Sequence, residues 1–362
     1  MDFYKELQQR LDAHPAGAPP SPLFDRILRM LFTPEEAEIA CSLTFLLQPL
    51  NKIAQKMGMD EAPLKEILER MADKGVIMAR PTKEGLARYS LLATIPGLFE
   101  IPFMRPDRTP NKEKLSKLWH DYHTESFGDA FSGSPTPQVR VVPVQSTIPS
   151  TTEILYYEQV SELIKTANFI ALTDCACRNA LGLCDKPKEV CLLFDQVGEF
   201  LVERGFGRRI DQEEALKVLN LAEEAGLVHC TDNAKGGRRT VICNCCGCCC
   251  TILRGITVCH NPHAVAHSAY VIEFSPDECI GCFSCLDSRC QVSAIQEDGD
   301  IIAVDVERCI GCGLCASVCT TGALSMKLRA ELPAIPEEPR DLLMTALNEK
   351  GKTEAFMKIN QE

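Results

Sequence analysis

The chain has 362 residues, 45% of them apolar, and a formal net charge of −12 at pH 7, which leaves enough apolar material for two or three domains with cores of their own. The acidic balance argues against a main role in binding nucleic acid or an anionic membrane surface, and it favours protein partners. Twenty-one cysteines, with a polar N-terminus and no apolar stretch long enough to span a bilayer, predict metal thiolates in a reducing cytoplasm rather than disulfides.

Residues 1–105 predict an α-rich domain that ends in a short hairpin. Helical periodicity marks Leu50–Met57 and Glu61–Lys74, and two short strands follow at Val76–Arg80 and Ala87–Leu92. A helix pair followed by a two-stranded wing predicts a winged-helix-like domain. Such domains often read DNA.

The second helix of this pair is net acidic, which is unfavourable for binding DNA. Five acidic residues outnumber three basic ones along it: Asp60, Glu61, Glu66, Glu69 and Asp73 against Lys65, Arg70 and Lys74. Affinity for DNA comes largely from neutralising phosphates with Lys and Arg. We therefore expect a protein-docking or scaffold element, and we regard DNA as an unfavoured partner.

Residues 106–150 are proline-rich and irregular around one predicted helix, Lys112–Phe131. This helix carries Trp119, His120 and His123, and we interpret it as an interdomain helix with aromatic packing. A ligand role for one of the histidines is the alternative. The whole stretch is predicted to be a connector.

Residues 151–270 predict a cysteine-rich domain of α/β character, in which strands alternate with helices. A buried strand at Phe169–Leu172 leads to four cysteines, and a second strand at Thr240–Ile242 leads to a run with six cysteines in eight residues. The ten candidate ligands are Cys175, Cys177, Cys184, Cys191, Cys243, Cys245, Cys246, Cys248, Cys249 and Cys250.

Six thiols in such a run are too many for a core and too easily oxidised for an open surface, so we interpret them as ligands. The run contains one ferredoxin-like frame, Cys243-x-x-Cys246-x-x-Cys249, interleaved with the pair Cys245 and Cys248. We expect one or two additional iron–sulfur clusters here, without a defined partition of the thiols. A zinc site built from the same thiols and an open or non-cubane cluster with its own chemistry are the alternatives.

Three more residues are of interest, two of them within this region and one, Cys41, far from it in the sequence. Arg178 follows the Cys175-x-Cys177 pair directly, and its charge either lies beside a cluster or forms an ordinary ion pair. Cys41 and Cys230 stand alone in the sequence, and we expect both to be packing residues.

Residues 271–328 contain one short motif twice. Glu278-Cys279-Ile280-Gly281-Cys282-x-x-Cys285 recurs as Arg308-Cys309-Ile310-Gly311-Cys312-x-x-Cys315, and a fourth thiol follows each copy, at Cys290 and Cys319. This spacing resembles that of the two-cluster bacterial ferredoxins. The resemblance implies two [4Fe-4S] clusters, each held by three thiolates of one copy and the fourth thiolate of the other.

The resemblance assigns the ligands by this crossed rule. The first cluster has Cys279, Cys282, Cys285 and Cys319, and the second has Cys309, Cys312, Cys315 and Cys290. Four residues separate Cys285 from Cys290, where the family usually has three, and we expect a bulge at Ser288 or Arg289 to absorb the difference. Structural zinc on the paired cysteines is the alternative.

Residues 329–362 are charged and contain three prolines before a predicted helix at Asp341–Leu347. We expect this segment to be a surface arm. The sequence contains no GxGxxG, P-loop or GxSxG motif, which weakens any claim of NAD binding, ATP hydrolysis or serine catalysis.

The predicted fold class is thus a multidomain α+β protein, and the chain resembles the iron–sulfur oxidoreductase subunits of anaerobes. The resemblance implies electron transfer from the ferredoxin clusters through the cysteine-rich region to a redox protein partner or a bound acceptor. A redox-sensing winged-helix regulator and a reductase with catalysis at an unusual middle cluster are the alternatives. The sequence names no catalytic residue, substrate or donor, and a homo-oligomer is compatible with it.

Overall fold

The computed structural model describes residues 2–81, 87–105, 107, 109, 111–149, 158–237, 240–286 and 288–361. The turn of the predicted wing and the predicted boundary at residues 150 and 151 therefore lie outside the described residues. In the described part, helices and antiparallel sheets combine in an α+β arrangement. No helix there has both the length and the apolar content that crossing a bilayer requires.

The N-terminal unit packs five helices around a small antiparallel sheet. The helices are α1 (Phe3–Asp12), α2 (Pro22–Leu31), α3 (Pro34–Ser42), α4 (Leu50–Met57) and α5 (Glu61–Asp73). The strands are β1 (Gln48–Pro49), β2 (Ile77–Pro81) and β3 (Ala87–Leu91), in the order β1-β3-β2. Helices α4 and α5 and the pair β2–β3 thus occupy the segments where the sequence predicts two helices and two strands.

Local side-chain chemistry sets several of these helix boundaries. The Ser21 hydroxyl accepts the Leu23 N–H at the start of α2, and Thr33 and Glu36 form a reciprocal capping box at the start of α3. Helix α4 ends at Gly58, whose φ of 63° is the left-handed conformation that glycine tolerates best.

The predicted connector begins with a helical segment that is packed rather than loose. Its helices are α7 (Lys112–Tyr122) and α8 (Gly128–Ser132), joined by a π-helical turn at His123–Phe127, and α6 (Glu100–Met104) precedes them. The Trp119 ring is buried and contacts Phe24 and Phe99 edge-on, with centroids 6.0 and 5.3 Å apart. This helix therefore packs against the N-terminal part of the chain.

The cysteine-rich region is built on one six-stranded sheet. Its strands are β4 (Val139–Val142), β5 (Ile170–Asp174), β6 (Glu189–Phe194), β7 (Gly207–Ile210), β8 (Val228–Asp232) and β9 (Val241–Cys245), in the order β4-β8-β9-β6-β5-β7. Five helices accompany it: α9 (Val160–Lys165), α10 (Ala176–Leu181), α11 (Asp195–Glu203), α12 (Gln212–Glu224) and α13 (Thr251–Thr257).

Every pairing between the named strands of this sheet is antiparallel. The prediction of α/β character is therefore wrong in the strict sense, because that class is built on parallel strands with crossover helices. Alternation of strands and helices in the sequence does not reveal strand direction. Strand β4 also lies inside the predicted connector, so part of that segment belongs to the sheet.

The ferredoxin-like segment has two small antiparallel pairs. Strand β10 (Tyr270–Phe274) pairs with β13 (Leu324–Leu328), and β11 (Ile295–Asp298) forms a hairpin with β12 (Ile301–Val304). The pair β10–β13 brings the two ends of the segment together. The two cysteine motifs therefore lie on one compact body.

The C-terminal segment is not the surface arm that the sequence suggests. Its helices α14 (Pro339–Glu349) and α15 (Thr353–Gln361) pack back onto the N-terminal unit. Ala346 and Leu347 are fully buried, and the Phe356 ring stacks on Phe45 with centroids 5.6 Å apart. The Asn360 side-chain oxygen accepts the backbone N–H of Phe45 at 3.0 Å.

Candidate functional site

The first repeat of the ferredoxin-like segment surrounds a cavity of about 380 Å³. Four thiols line it, those of Cys279, Cys282, Cys285 and Cys319. The remaining wall is largely apolar, with Phe274, Ile302 and Leu324 among its side chains. Three thiols of the first motif thus face the fourth thiol of the second motif.

The second repeat surrounds a matching cavity of about 360 Å³. Its four thiols belong to Cys290, Cys309, Cys312 and Cys315. The structure therefore brings together the same two sets of four cysteines that the crossed ferredoxin rule names. The nearly equal volumes follow from the internal repeat.

The motif glycines allow the loops to pass close to neighbouring backbone. Gly281 and Gly311 have φ values of 63° and 73°. A Cβ atom on Gly281 would lie 2.2 Å from the Asp300 carbonyl oxygen, and one on Gly311 would lie 2.1 Å from that of Tyr270. Ser288, one of the two residues at which we expect a bulge, has a left-handed φ of 57°.

Backbone donors stabilise the fourth thiol of each set. The Leu324 N–H donates to the Cys319 sulfur at 3.3 Å, and the Ala294 N–H donates to the Cys290 sulfur at 3.0 Å. Burial opposes the charged form of Cys319, but the hydrogen bonds from Leu324 and Thr321 bring its pKa below the ordinary value. Thiolate ligands with N–H donors suit an iron–sulfur cluster, so the residues fit this cofactor.

The two cavities differ in their exposure to solvent. Cys282, at the first cavity, is exposed, whereas Cys309 and Cys315, at the second, are buried. Burial also raises the pKa of Cys312 to about 12. The first cavity therefore lies nearer the surface, and the second faces the interior of the molecule.

A third, larger cavity of about 1030 Å³ lies between the cysteine-rich sheet and residues 95–104, which include α6. Seven thiols line it, those of Cys175, Cys177, Cys191, Cys230, Cys243, Cys245 and Cys250. Glu100 and Leu342 also line it. Burial raises the pKa of Glu100 to about 7.

Strand pairing explains how distant cysteines reach this cavity. Cys230 on β8 pairs with Cys243 on β9, and β6, which carries Cys191, is the next strand along. Cys175 directly precedes α10 and Cys250 directly precedes α13. Two strand-to-helix junctions and three adjacent strands thus point their thiols into one space.

These thiols are too close together to ionise independently. A hydrogen bond with Cys243, followed by burial, raises the pKa of Cys191 well above its ordinary value. The Cys175 pKa is raised in the same way by Cys177 and by burial. Several thiolates in one dry cavity require nearby positive charge, which metal ions supply.

Arg178 supplies fixed positive charge beside the large cavity. The guanidinium is 1% exposed; it donates to the Asn244 carbonyl at 3.0 Å and to the Cys246 sulfur at 3.8 Å. Its Nε and Nη2 atoms are buried and have no hydrogen-bond partner among the described residues. Burial opposes the charge, but the nearby thiols of Cys175 and Cys246 raise the pKa of Arg178. The unpaired N–H groups suit an anionic centre.

A separate group of four thiols includes Cys246, which Arg178 contacts. The sulfurs of Cys184, Cys246, Cys248 and Cys249 all lie within 4.8 Å of one another. The cysteine run is therefore divided between two sites, because Cys243, Cys245 and Cys250 line the large cavity instead. The frame Cys243-x-x-Cys246-x-x-Cys249 does not stay together, and neither does the pair Cys245 and Cys248.

Direct contacts join the ferredoxin-like segment to the cysteine-rich region. The Val144 N–H donates to the Cys312 carbonyl at 2.9 Å, and the Gly247 N–H donates to the Gln291 side-chain oxygen at 2.8 Å. A Cβ atom on Gly247 would lie 2.0 Å from the Gln291 carbonyl oxygen, so only glycine fits there. Gln291 is the residue next to Cys290, at the second ferredoxin cavity.

Sequence reasoning missed two residues of the large cavity. We expect Cys230 to be a packing residue, and it is buried in an apolar cluster; that it also lines the large cavity depends on the register of β8 and β9, which pairs it with Cys243. Glu100 precedes Cys175 by 75 residues, and no motif marks it. Cys41, also expected to pack, is buried and donates to the Phe3 carbonyl at 3.3 Å.

Comparison with known proteins identifies the ferredoxin-like segment. Residues 302–325 match the 4Fe-4S binding domain family, and this stretch contains Cys309, Cys312, Cys315 and Cys319. An uncharacterized ferredoxin of Methanocaldococcus jannaschii is 33% identical over 87 residues, which make up 23% of this chain and 58% of that protein. No solved structure matches the chain. The chain therefore carries a ferredoxin-type 4Fe-4S domain, which supports an iron–sulfur electron-transfer role.

Proposed function

We propose that the protein is a multi-cluster electron-transfer protein in which the ferredoxin domain exchanges electrons with a centre in the large cavity. Cys279, Cys282, Cys285 and Cys319 would hold the first cluster, and Cys309, Cys312, Cys315 and Cys290 the second. The seven thiols of the large cavity would hold a third iron–sulfur centre. Such clusters supply one-electron redox chemistry, and the protein sets their spacing, burial and hydrogen bonds.

A packed backbone connection between Cys312 and Cys230 is the observation that carries this proposal: the Val144 N–H donates to the Cys312 carbonyl at 2.9 Å, and the nearby Val141 of β4 pairs with Cys230 of β8. The hydrogen bond with Cys245 lowers the pKa of Cys230, but burial and the charges of Cys250, Cys243 and Cys312 outweigh it and raise that pKa. Cys230 lines the large cavity and Cys312 lines the second ferredoxin cavity. The Val144 hydrogen bond and this strand pairing connect the walls of the two cavities.

Apolar packing around this connection supports the same route. One buried apolar cluster contains Val141, Val144 and Cys230 from the sheet and Cys309 and Cys315 from the ferredoxin domain. Dry and closely packed surroundings hold neighbouring centres at fixed separations. This favours electron transfer through the interior rather than through solvent.

The surface end of the route is the first ferredoxin cavity. Cys282 is exposed there, and the neighbouring Ile280 is 68% exposed, which is unusual for a large apolar side chain between two ligands. An exposed apolar residue beside a cluster suits a transient redox partner. We propose that a redox protein meets the molecule at this cavity.

We propose a winged helix for the N-terminal unit, used for docking within the molecule. Arg204 of the cysteine-rich region forms ion pairs with Glu69 and Asp73 of α5, at 2.7 and 2.8 Å. The side chains of Ile101 and Phe206 crowd the backbone at Gly75, just after that helix. One side of the acidic helix is thus engaged by the chain itself, which argues against a regulator that reads DNA with it.

Anaerobic iron and sulfide analysis, with electron paramagnetic resonance of the reduced protein, tests the proposal. Two [4Fe-4S] clusters account for about eight irons per chain, and a centre in the large cavity raises the count to about twelve or more. We expect the higher value. Colourless protein that binds only zinc contradicts the whole proposal, and about eight irons contradict the third centre.

Two serine substitutions separate the sites. Cys290→Ser is expected to remove the signal of the second ferredoxin cluster and leave the remaining iron in place. Cys191→Ser is expected to alter the signal of the third centre alone. Cys41→Ser is the matched control, because Cys41 lies outside all three cavities and serine retains a donor for the Phe3 carbonyl.

A further inference from the structure

Four thiols of the cysteine-rich region form a group unlike the cavities around them. The Cys184 sulfur lies 3.9 Å from those of Cys246 and Cys249, and the Cys248 and Cys249 sulfurs are 3.8 Å apart. Among the residues that the structure describes, they alone form a set of three or more possible metal ligands within 4.8 Å of one another. None of the four lines any of the three thiol cavities.

These separations are those of a single tetrahedral ion. Zinc–sulfur bonds of about 2.3 Å at tetrahedral angles place the sulfurs about 3.8 Å apart. The ferredoxin thiols offer an internal comparison, since each set of four lines a cavity and none forms a group within 4.8 Å among the described residues.

The local fold holds this group in place. Cys184 lies on the loop after α10, which ends at Gly182 with a left-handed φ of 60°. The backbone of the cysteine run turns tightly there, because the Cys250 N–H donates to the Cys246 carbonyl at 3.1 Å. Cys246 and Cys249 are fully buried. Two segments distant in sequence are thus brought to one point.

Surrounding charge favours thiolates at this point. The Arg178 guanidinium donates to the Cys246 sulfur at 3.8 Å and is itself 1% exposed. Four thiolates around one divalent ion leave a net charge of −2, which a buried guanidinium partly offsets. Such a contact orients the ligand as well as stabilising its charge.

We propose that Cys184, Cys246, Cys248 and Cys249 bind one structural Zn²⁺ ion, separate from the iron–sulfur centres. Zn²⁺ is the metal that most often fills closed sites of four thiolates. The ion ties the loop after α10 to the cysteine run. Through Gly247, which lies between two of the ligands and contacts Gln291, it also fixes the run against the ferredoxin domain.

Metal analysis of the full-length protein, purified without oxygen, tests this assignment. We expect about one zinc per chain in addition to the iron, and zinc-edge X-ray absorption with four sulfur neighbours at about 2.3 Å. Iron at this site, as a single ion or as a cluster, overturns the assignment. So does zinc with nitrogen or oxygen neighbours.

Serine variants locate the ion. Cys184→Ser and Cys248→Ser are expected to lower zinc at least tenfold while iron, sulfide and the resonance of the ferredoxin clusters stay unchanged. Cys41→Ser is expected to retain the zinc. Loss of about four irons from Cys184→Ser with no change in zinc overturns the proposal. If a variant fails to fold, the zinc-edge absorption spectrum of the wild-type protein tests the assignment instead. Zinc and iron are counted separately, so this proposal and the proposed function can fail independently.

Discussion

At the scale of single residues, the ferredoxin motifs depend on backbone positions as much as on sulfur. Gly281 has a left-handed φ and lies close to the Asp300 carbonyl oxygen. Gly299, in the adjacent hairpin turn, has a nearly identical φ of 62° but open space where a Cβ atom would lie. The two positions therefore separate the cost of the left-handed conformation from the cost of a close contact.

Gly281→Ala is expected to disturb the first cluster, since its Cβ atom would lie 2.2 Å from the Asp300 oxygen. The loop must move, and with it Cys279 and Cys282. We expect loss of up to about four irons per chain, the content of one cluster, measured by anaerobic iron analysis.

Gly299→Ala is the control for this substitution. It carries the left-handed penalty of roughly 1–2 kcal/mol but no contact, so its iron content should equal that of the wild type. Equal iron losses in the two variants would show that conformation rather than the close contact is decisive.

Within the ferredoxin motifs, the spacing groups the same thiols that line each cavity. The spacing of Cys279, Cys282 and Cys285 is local, and it predicts which thiols approach each other. In the cysteine run, by contrast, neighbours in sequence diverge: Cys245 faces the large cavity while Cys246 joins the four-thiol group. Side chains alternate between the two faces of β9, and the turn after β9 redirects the cysteines that follow. Both effects decide which cysteine joins which site, and neither can be derived from the spacing of the cysteines alone.

At the scale of elements, the helices follow their sequence signals and the sheet does not. The predicted helix Leu50–Met57 has the same bounds as α4, because local periodicity and a terminal glycine define it. The direction of the six strands depends on contacts between distant segments, such as β4 with β8. Helix α15 shows the same limit, since nothing in its sequence indicates that it packs on residues near the N-terminus.

Phe356→Ala is expected to destabilise the protein by about 3 kcal/mol, since Phe356 is buried and its ring stacks on Phe45. The free energy of unfolding, measured anaerobically in urea, checks this value. Met357→Ala is the matched control, because Met357 is 43% exposed, and a change within about 0.5 kcal/mol is expected. A loss below about 1 kcal/mol for Phe356→Ala would indicate that α15 contributes little to the folded state.

At the scale of the whole molecule, three histidines in packed surroundings couple stability to pH. His14 lies between Phe45 and Phe356, with ring centroids 4.9 and 6.0 Å away. Burial, aided by the charges of Lys350 and Lys352, lowers the pKa of His14 to about 3. Burial lowers the pKa of His123 to about 3 and of His267 to about 4, and nearby cationic groups contribute.

Stability is therefore expected to fall as the pH decreases below about 6.5. The unfolded chain binds protons there and the folded chain does not, so each such histidine contributes up to about 1.4 kcal/mol per pH unit of loss until its folded pKa is reached. Urea unfolding at pH 7.5 and 5.5 measures the slope. His14→Asn should reduce the loss of stability between these two pH values by about 1.4 kcal/mol, and an unchanged loss would show that His14 does not contribute.

The packing of α14 and α15 against the N-terminal unit has a consequence for the order in which the protein folds and binds metal. Leu342, on α14, forms part of the wall of the large cavity, and Lys352, at the end of the turn after α14, pairs with Asp12 at 2.9 Å. A growing polypeptide exposes the seven thiols before it has made the helix that covers them. We therefore expect the proposed centre of the large cavity to receive its metal before the final helices dock, because α14 then closes one wall of that cavity.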